Sequence, residues 1–132
     1  MRNGFVRVGA SSLHTAVANC KQNAEGIIEK VKDAAKEEVK ILALPELCVT
    51  SSTCGDLYWQ RTLQKEAEEA ILYIASKTKN EDVLFVVGAP LLKDDQLYDC
   101  AVVIHKGKIL GIVPKTYVLE DGEQRSFNPY KG

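Results

Sequence analysis

Two short runs of apolar residues, each ended by glycine or proline, constrain the fold of this chain more than any other feature. Residues 41–44 are Ile-Leu-Ala-Leu and are followed by Pro45, and residues 83–87 are followed by Gly88 and Pro90. Uninterrupted apolar runs of this length are typical of strands buried on both faces of a parallel sheet. Each run therefore predicts an interior strand that stops at the glycine or proline behind it.

Amphipathic patterns separate these two strands from each other and from the start of the chain. Across residues 23–39, apolar side chains recur at steps of three and four, which predicts a helix with one buried stripe. A second stripe with the same spacing runs from Leu63 to Ala75, and the opposite side of that segment is a charged, solvated face. The sequence therefore predicts two helices that connect parallel strands.

The beginning and the second half of the chain predict further strands. Residues 5–10 alternate in polarity and predict a first strand, whereas residues 98–104 and 109–113 flank a turn at Gly107 and predict a hairpin. The resulting order is β-α-β-α-β-β-β, an α/β fold whose sheet becomes antiparallel at its end. Residues 120–132 show no periodicity and predict a loop or a frayed tail.

Composition excludes several classes of function. The 132 residues suffice for one domain, and 17 Lys and Arg against 18 Asp and Glu give a formal net charge of -1. This balance provides no basic surface for nucleic acid or for a membrane. The apolar runs are much shorter than a membrane span, and the N-terminus has no signal-peptide pattern. We therefore expect a cytoplasmic protein with neither nucleic acid nor membrane as a partner.

The four cysteines predict free thiols rather than a metal site or disulfides. They lie at positions 20, 48, 54 and 100, without the close pairs of a zinc site, and the chain has only 2 histidines. A disulfide framework is not expected in a chain without an export signal. Cys20 precedes the first predicted helix, whose dipole would lower the pKa of its thiol. The cysteines are otherwise interpreted as inert or surface thiols.

Two motifs place a charged residue behind a strand in the same way. Leu44-Pro45-Glu46 follows one apolar strand, and Val113-Pro114-Lys115 follows another. Proline fixes the backbone and stops the strand, so the next side chain projects from a rigid base. Ligands of α/β sheets bind beyond the carboxyl ends of strands, where Glu46 and Lys115 could meet in a cleft. The alternative is that both are ordinary loop charges.

Several segments, taken together and in order, resemble the nitrilase superfamily, and within it the glutaminase domains of glutamine-dependent NAD synthetases. They are Gly4-Phe5-Val6-Arg7-Val8, Leu44-Pro45-Glu46-Leu47-Cys48, Thr53-Cys54-Gly55-Asp56-Leu57, Val86-Val87-Gly88-Ala89-Pro90-Leu91 and residues 97–117. The resemblance implies that residues 1–119 form the first half of an αββα sandwich, a partial glutaminase domain. Residues 120–132 are then a divergent loop or tail.

The resemblance also implies a chemistry, the hydrolysis of the glutamine side-chain amide by a Glu-Lys-Cys set. It makes Glu46 the general base and Lys115 the group that stabilises the developing oxyanion, and it places Glu123 as a second carboxylate that orients the lysine. The nucleophilic cysteine of the superfamily lies on a later strand, beyond residue 132. We therefore expect a truncated chain, inactive alone, with no cofactor of its own. ATP and Mg would belong to an absent synthetase domain.

The departures from the family pattern leave alternatives open. Ser51 and Ser52 stand where the family has Gly-Tyr, and Asp121 replaces a second substrate-contacting tyrosine. The first hypothesis is part of an enzyme that uses glutamine and works with a synthetase domain or subunit. The second is a non-catalytic remnant that binds a partner or itself, and the third is a self-contained domain that resembles the family by chance. Half a sandwich exposes a sheet face, so we expect a homo-oligomer.

Overall fold

The computed structural model describes residues 4–118 and 127–131 as one five-stranded sheet with two long helices. In chain order the elements are β1 Val8–Ala10, α1 Cys20–Lys36, β2 Ile41–Ala43, a short 3₁₀ helix Gly55–Trp59, α2 Arg61–Lys77, β3 Leu84–Lys93, β4 Gln96–His105 and β5 Lys108–Pro114. The α/β class and the predicted order of strands and helices are confirmed. Neither helix of this described part is long and apolar enough to cross a membrane.

The sheet has its strands in chain order, and its character changes halfway across. β1, β2 and β3 are parallel, whereas β4 and β5 are antiparallel to their neighbours. The two crossovers from β1 to β2 and from β2 to β3 run through α1 and α2, which contact each other and place both helices on one face. The antiparallel strands β4 and β5 continue the same sheet beyond β3.

The helix-covered face of the sheet holds the core. Phe85 and Val87 of β3 and Val102 and Ile104 of β4 are fully buried under the helices. The residues that alternate with them along the strands point to the other side of the sheet, which we call the open face. From the register, the open face consists of Val8, Ile41, Ala43, Leu84, Val86, Ala101, Val103 and Val113. The prediction of strands buried on both faces is wrong, because no second layer covers the open face within the described residues.

The third strand is longer than the sequence predicts. β3 continues through Gly88 and Pro90, which were expected to end it, and turns at Asp94 and Asp95 into β4. β2 ends at Ala43, so the distal half of β3 has a strand neighbour on one side only. A sheet tolerates proline at such a position, because one side of the strand needs no ladder donor.

The helices and strands begin and end at residues set by local interactions, which the periodicity of apolar residues does not reveal. α1 begins at Cys20, earlier than the predicted residue 23, because the Asn19 side chain accepts a hydrogen bond from the Gln22 amide. The first strand covers only residues 8–10, and Phe5 is 80% exposed. The predicted hairpin turn is present at Lys106 and Gly107, both with positive φ.

Residues 127–131 lie against the sheet. The Asn128 amide donates to the carbonyl of Leu97, and its side chain accepts from the Leu97 amide. Phe127 is buried with its ring 4.8 Å from that of Tyr58, measured between centroids. Residues 127–131 have no regular secondary structure, and Phe127 belongs to the core.

Candidate active site

Glu46 lies in a tight turn behind β2 that is bonded to β3. The Leu44 amide donates to the Val86 carbonyl at 3.1 Å, and the Val49 amide donates to the Gly88 carbonyl at 3.0 Å. Between these two anchors, Leu47 adopts a left-handed φ of 54°. A non-glycine residue in this region is uncommon and is retained where its surroundings require it. The turn therefore holds Glu46 in one position at the open-face end of the sheet.

Gly88 allows this turn to lie directly on β3. A Cβ at Gly88 would come within 2.9 Å of the Glu46 carbonyl carbon and would collide with the Leu47 backbone nitrogen. The glycine is therefore required for the close approach of two backbones, and its φ is not in the left-handed region. Sequence analysis interpreted Gly88 only as the end of a strand.

Asn23 of α1 ties the loop after Glu46 to the helical layer. Its side-chain amide donates to the carbonyls of Ala16 and Val49, and its oxygen accepts from the Ala16 amide. Further along the loop, the Tyr58 hydroxyl donates to the Ser51 carbonyl at 2.7 Å. Ser51, which replaces the glycine of the family pattern, is buried beneath this contact. These bonds support the position of Glu46 from the opposite side of β3.

Lys115 follows β5 and reaches Glu46, as the sequence predicts. Its amide donates to the carbonyl of Asp99 at 2.8 Å, which extends the ladder between β4 and β5 by one residue. Its Nζ donates to Glu46 Oε1 at 2.8 Å, and the side chains are 31% and 50% exposed, respectively. The carboxylate and the ammonium therefore form a partly exposed ion pair, although their catalytic roles stay a prediction.

Asp99 is the residue of this site that sequence analysis missed. It is 5% exposed, and its backbone carbonyl accepts the hydrogen bond from the Lys115 amide. The hydrogen bonds from Asp99 first and Lys115 second hold the pKa of Glu46 below its usual value. A signal was present, because Asp99 is the one charged residue in the otherwise apolar run of residues 97–104.

The three charged side chains border a cleft of about 360 Å³ on the open side of the sheet. Its remaining walls are mainly apolar and come from the residues behind β2, from the middle of β3 and β4, and from the end of β5. A larger cleft of about 530 Å³ lies between α2 and β5, where Ile71, Leu72, Ile109 and Ile112 face each other. The smaller cleft is the candidate active site because it combines a paired acid and base with an apolar wall.

All four cysteines are free, as predicted, and all four are buried, which excludes the surface alternative and leaves that of inert thiols. Burial raises the pKa of Cys20, Cys48 and Cys100 to about 11. The expectation of a lowered pKa for Cys20 is also wrong, because desolvation and the nearby Glu66 carboxylate outweigh the helix dipole. Cys100 borders the cleft, but a thiol with this pKa remains protonated at neutral pH and is a poor nucleophile.

Two further predicted site positions, Glu123 and Asp121, lie outside the described residues. Within residues 4–118 and 127–131, no three His, Cys, Asp or Glu side chains come close enough to hold a metal ion. The arrangement of the described site can accept a proton at Glu46 and stabilise a negative charge at Lys115. These are the capacities that hydrolysis of an amide requires in addition to a nucleophile.

Comparisons with known proteins identify the family of this chain. The model of the carbon-nitrogen hydrolase family matches residues 7–129. A glutamine-dependent NAD(+) synthetase from Mycobacterium bovis is 32% identical over 99% of this chain, and one from Aquifex aeolicus is 37% identical over 82% of it. The chain spans about a fifth of the length of these relatives, 20% and 19%.

Solved structures show the same fold. A glutamine-dependent NAD(+) synthetase from Cytophaga hutchinsonii superposes with a TM-score of 0.90 at 25% identity, covering 96% of this chain and 22% of that one. An amidase from Nesterenkonia sp. superposes with a TM-score of 0.83 at 17% identity, covering 100% of this chain and 51% of that one.

Proposed function

Because the chain belongs to the carbon-nitrogen hydrolase family, we propose that it forms the first part of a glutamine-hydrolysing domain. This domain would release ammonia for an NAD synthetase, as the names of its relatives suggest. The interpretation as an unrelated domain that resembles the family by chance is wrong, because the family model matches most of the chain.

The observation that carries the proposal is the ion pair between Lys115 Nζ and Glu46 Oε1 at 2.8 Å, set in a cleft at the strand ends. In the proposed reaction a cysteine sulfur attacks the side-chain carbonyl carbon of glutamine, and Glu46 accepts the thiol proton. Lys115 stabilises the negative charge on the carbonyl oxygen. The amide nitrogen takes up the proton that Glu46 accepted and leaves as ammonia, so that the carbonyl carbon remains bound to sulfur as a thioester. Glu46 then removes a proton from water, the water oxygen attacks the thioester, and glutamate and the cysteine thiol are released.

We propose that the nucleophile comes from polypeptide outside these 132 residues. Burial keeps the thiols of Cys20, Cys48 and Cys100 protonated at neutral pH, which makes them unsuitable for the attack. ATP and Mg would serve a synthetase domain or subunit, and this segment would need no cofactor. Glu123 would orient Lys115. A cytoplasmic location would agree with four unpaired thiols.

The test joins this chain to the remainder of a relative. The segment of the Aquifex aeolicus protein that aligns with this chain is replaced by it, and ammonia release from glutamine is measured. We expect hydrolysis by the chimera, a loss of about 100-fold or more in kcat for Glu46→Gln or Lys115→Met, and no change for the turn variant Asp95→Asn. If the chimera is folded and active and its kcat does not change with Glu46→Gln, the proposed roles are contradicted. If the isolated chain releases ammonia from glutamine, the proposal of a nucleophile outside these residues is contradicted.

A second candidate function, a non-catalytic module that binds a partner or a second copy, is favoured by the open face. Ile41 of β2 and Val113 of β5 lie on this face and are 43% and 60% exposed, so the face leaves large apolar side chains in contact with solvent. We expect the isolated chain to self-associate, and Ile41→Lys with Val113→Lys to shift it toward monomer in light scattering. A wild-type chain that stays monomeric at high concentration would argue against this module.

A further inference from the structure

Residues 127–131, which we call the strap, are linked to both members of the ion pair between Glu46 and Lys115. The link to Lys115 is direct, because the Tyr130 amide donates to the Lys115 carbonyl at 2.9 Å. The Lys115 amide in turn donates to the Asp99 carbonyl at 2.8 Å. The peptide groups on both sides of Lys115 are therefore hydrogen-bonded, and the backbone that carries the ammonium is held from two directions.

The other end of the strap is linked to Glu46 through Tyr58. The rings of Phe127 and Tyr58 lie 4.8 Å apart between centroids, and both side chains are almost fully buried. The Tyr58 hydroxyl donates to the Ser51 carbonyl at 2.7 Å, and the Ser51 amide donates to the Leu47 carbonyl at 2.8 Å. Leu47 directly follows Glu46. One ring contact and two hydrogen bonds therefore connect Phe127 to the turn that holds Glu46.

A third contact fixes the strap to the sheet between these two links. The Asn128 amide donates to the Leu97 carbonyl at 2.7 Å, and the Asn128 side-chain oxygen accepts from the Leu97 amide at 3.1 Å. Leu97 is fully buried in β4. Because two hydrogen bonds join the same pair of residues, they fix the direction of the strap as well as its position.

We propose that the strap holds Glu46 and Lys115 at a fixed separation, with Phe127 as the positioning residue for Glu46 and the Tyr130 backbone as the positioning group for Lys115. A partly exposed ion pair contributes too little to hold two backbone segments by itself, so its geometry depends on the contacts behind it. A displacement of about 1 Å is enough to impair a catalytic group. The value of the strap for catalysis rests on the proposed function, whereas its contacts do not.

The link to Glu46 is tested by hydrogen exchange of backbone amides in the 132-residue chain, measured for single residues by mass spectrometry at low protein concentration. Phe127→Ala removes the ring that packs on Tyr58, and we expect the Ser51 amide to exchange about tenfold faster. Phe127→Leu keeps a large apolar side chain and should limit this increase to about threefold.

Ile104→Ala is the matched control for lost core packing, because Ile104 is fully buried at the opposite end of β4 from Leu97. It should accelerate the exchange of core amides such as that of Val87, and change that of Ser51 by less than about threefold. If Ser51 exchanges as fast in Ile104→Ala as in Phe127→Ala, the strap has no specific effect on the Glu46 turn and the proposal is overturned.

Tyr58→Phe separates the hydrogen bond from the ring contact. It keeps the ring that faces Phe127 and removes the hydroxyl that donates to Ser51, so we expect Ser51 to exchange about tenfold faster. Adding Phe127→Ala should then increase the rate by less than about threefold, because both substitutions break the same link. Effects that multiply would contradict a role of Phe127 through Tyr58. If Phe127→Ala does not fold, an unchanged Ser51 rate in Tyr58→Phe overturns the proposal.

The link to Lys115 is tested with Tyr130→Pro, which removes the N–H that donates to the Lys115 carbonyl. Tyr130→Ala is the matched control, because it keeps this amide, and both variants lose the ring contact with Tyr98 at 6.0 Å between centroids. We expect the Lys115 amide to exchange about tenfold faster in Tyr130→Pro than in Tyr130→Ala. Equal rates in the two variants would show that the strap does not hold Lys115.

The chimera that tests the proposed function adds a kinetic measurement. Phe127→Ala should lower kcat about tenfold and leave KM within about twofold, and Phe127→Leu should restore most of the loss, because a displaced base slows the reaction without weakening substrate binding. A raised KM with unchanged kcat would contradict the positioning role. If the chimera is inactive while the exchange rates change as expected, the proposed function fails and the strap is supported.

Discussion

The two faces of the sheet have the same strands but opposite surroundings. On the helix-covered face, Phe85 and Val102 are fully buried, whereas on the open face Ile41 and Val113 are 43% and 60% exposed. Both faces are apolar in sequence, because successive residues of β2 and of the first half of β3, residues 84–87, are all apolar. Apolar character alone therefore did not decide which face the helices cover.

The two faces differ in what they contribute: one stabilises the fold, and the other holds the candidate active site. The helix-covered face contains the core, while Glu46, Asp99 and Lys115 lie at the strand ends on the open side. A site on the open side keeps one carboxylate and one ammonium partly exposed, where a substrate can reach them. The buried face beneath it fixes the strands from which these side chains project.

The largest expected effect tests the two faces directly. Phe85→Ala removes a fully buried ring and should lower the free energy of unfolding by about 3–5 kcal/mol. Val86→Ala, one residue along on the open face, should lower it by about 1 kcal/mol or less, because Val86 is only half-buried. Urea denaturation followed by Trp59 fluorescence at low protein concentration measures both. Equal losses would mean that the open face is covered in solution.

A smaller effect is expected where the loop of Glu46 meets β3. Gly88→Ala places a methyl group against the backbone of Glu46 and Leu47 and should cost about 1–3 kcal/mol, with displacement of the turn. Gly111→Ala is the matched control, since a Cβ there has no heavy atom within 4 Å, and it should change stability by about 0.5 kcal/mol at most. Similar costs for both variants would show that the close approach is absent.

The smallest effect concerns the ion pair and its pH dependence. The pKa of folded Glu46 is lowered, so the pair stabilises the fold above the unfolded pKa of about 4.3 and is lost as the pH falls through the folded value. Lys115→Met should therefore cost about 1 kcal/mol or less at pH 7, because the pair is partly exposed, and the difference from wild type should shrink below about pH 4.

The control for this pH dependence is Lys108→Met at the exposed start of β5, which should show no such change with pH. Thermal unfolding of the three proteins across pH 3–7 makes the measurement. A difference between wild type and Lys115→Met that stays constant below about pH 4 would show that Glu46 does not titrate with this pair.

Local sequence patterns predicted which helices and strands form better than they predicted where those helices and strands begin and end. The spacing of apolar residues was enough to locate α1 and α2, and the glycine at position 107 was enough to locate the hairpin turn. The sequence did not predict that β3 continues through Pro90. A proline destabilises a strand only where the backbone N–H that it lacks would have donated a hydrogen bond to a neighbouring strand. That condition depends on where β2 ends, which is a property of the assembled sheet.

For the site, the sequence predicted the two charges that follow a strand and a proline, Glu46 and Lys115. It missed Gly88 and Asp99, whose importance comes from the backbone and the carboxyl group that lie against them. A glycine in a strand and an aspartate in an apolar run are each ambiguous when taken alone. Only their neighbours in space give them a role.

The order of strands and helices followed from the sequence itself, because hydrophobic spacing and turn residues act over a few neighbouring positions. The tertiary structure decided which face of the sheet became the core and which charged side chains meet at the site. Burial, the ion pair between Lys115 and Glu46, and the fit of a turn against Gly88 all depend on contacts between residues distant in the chain. Those contacts exist only once the strands have paired.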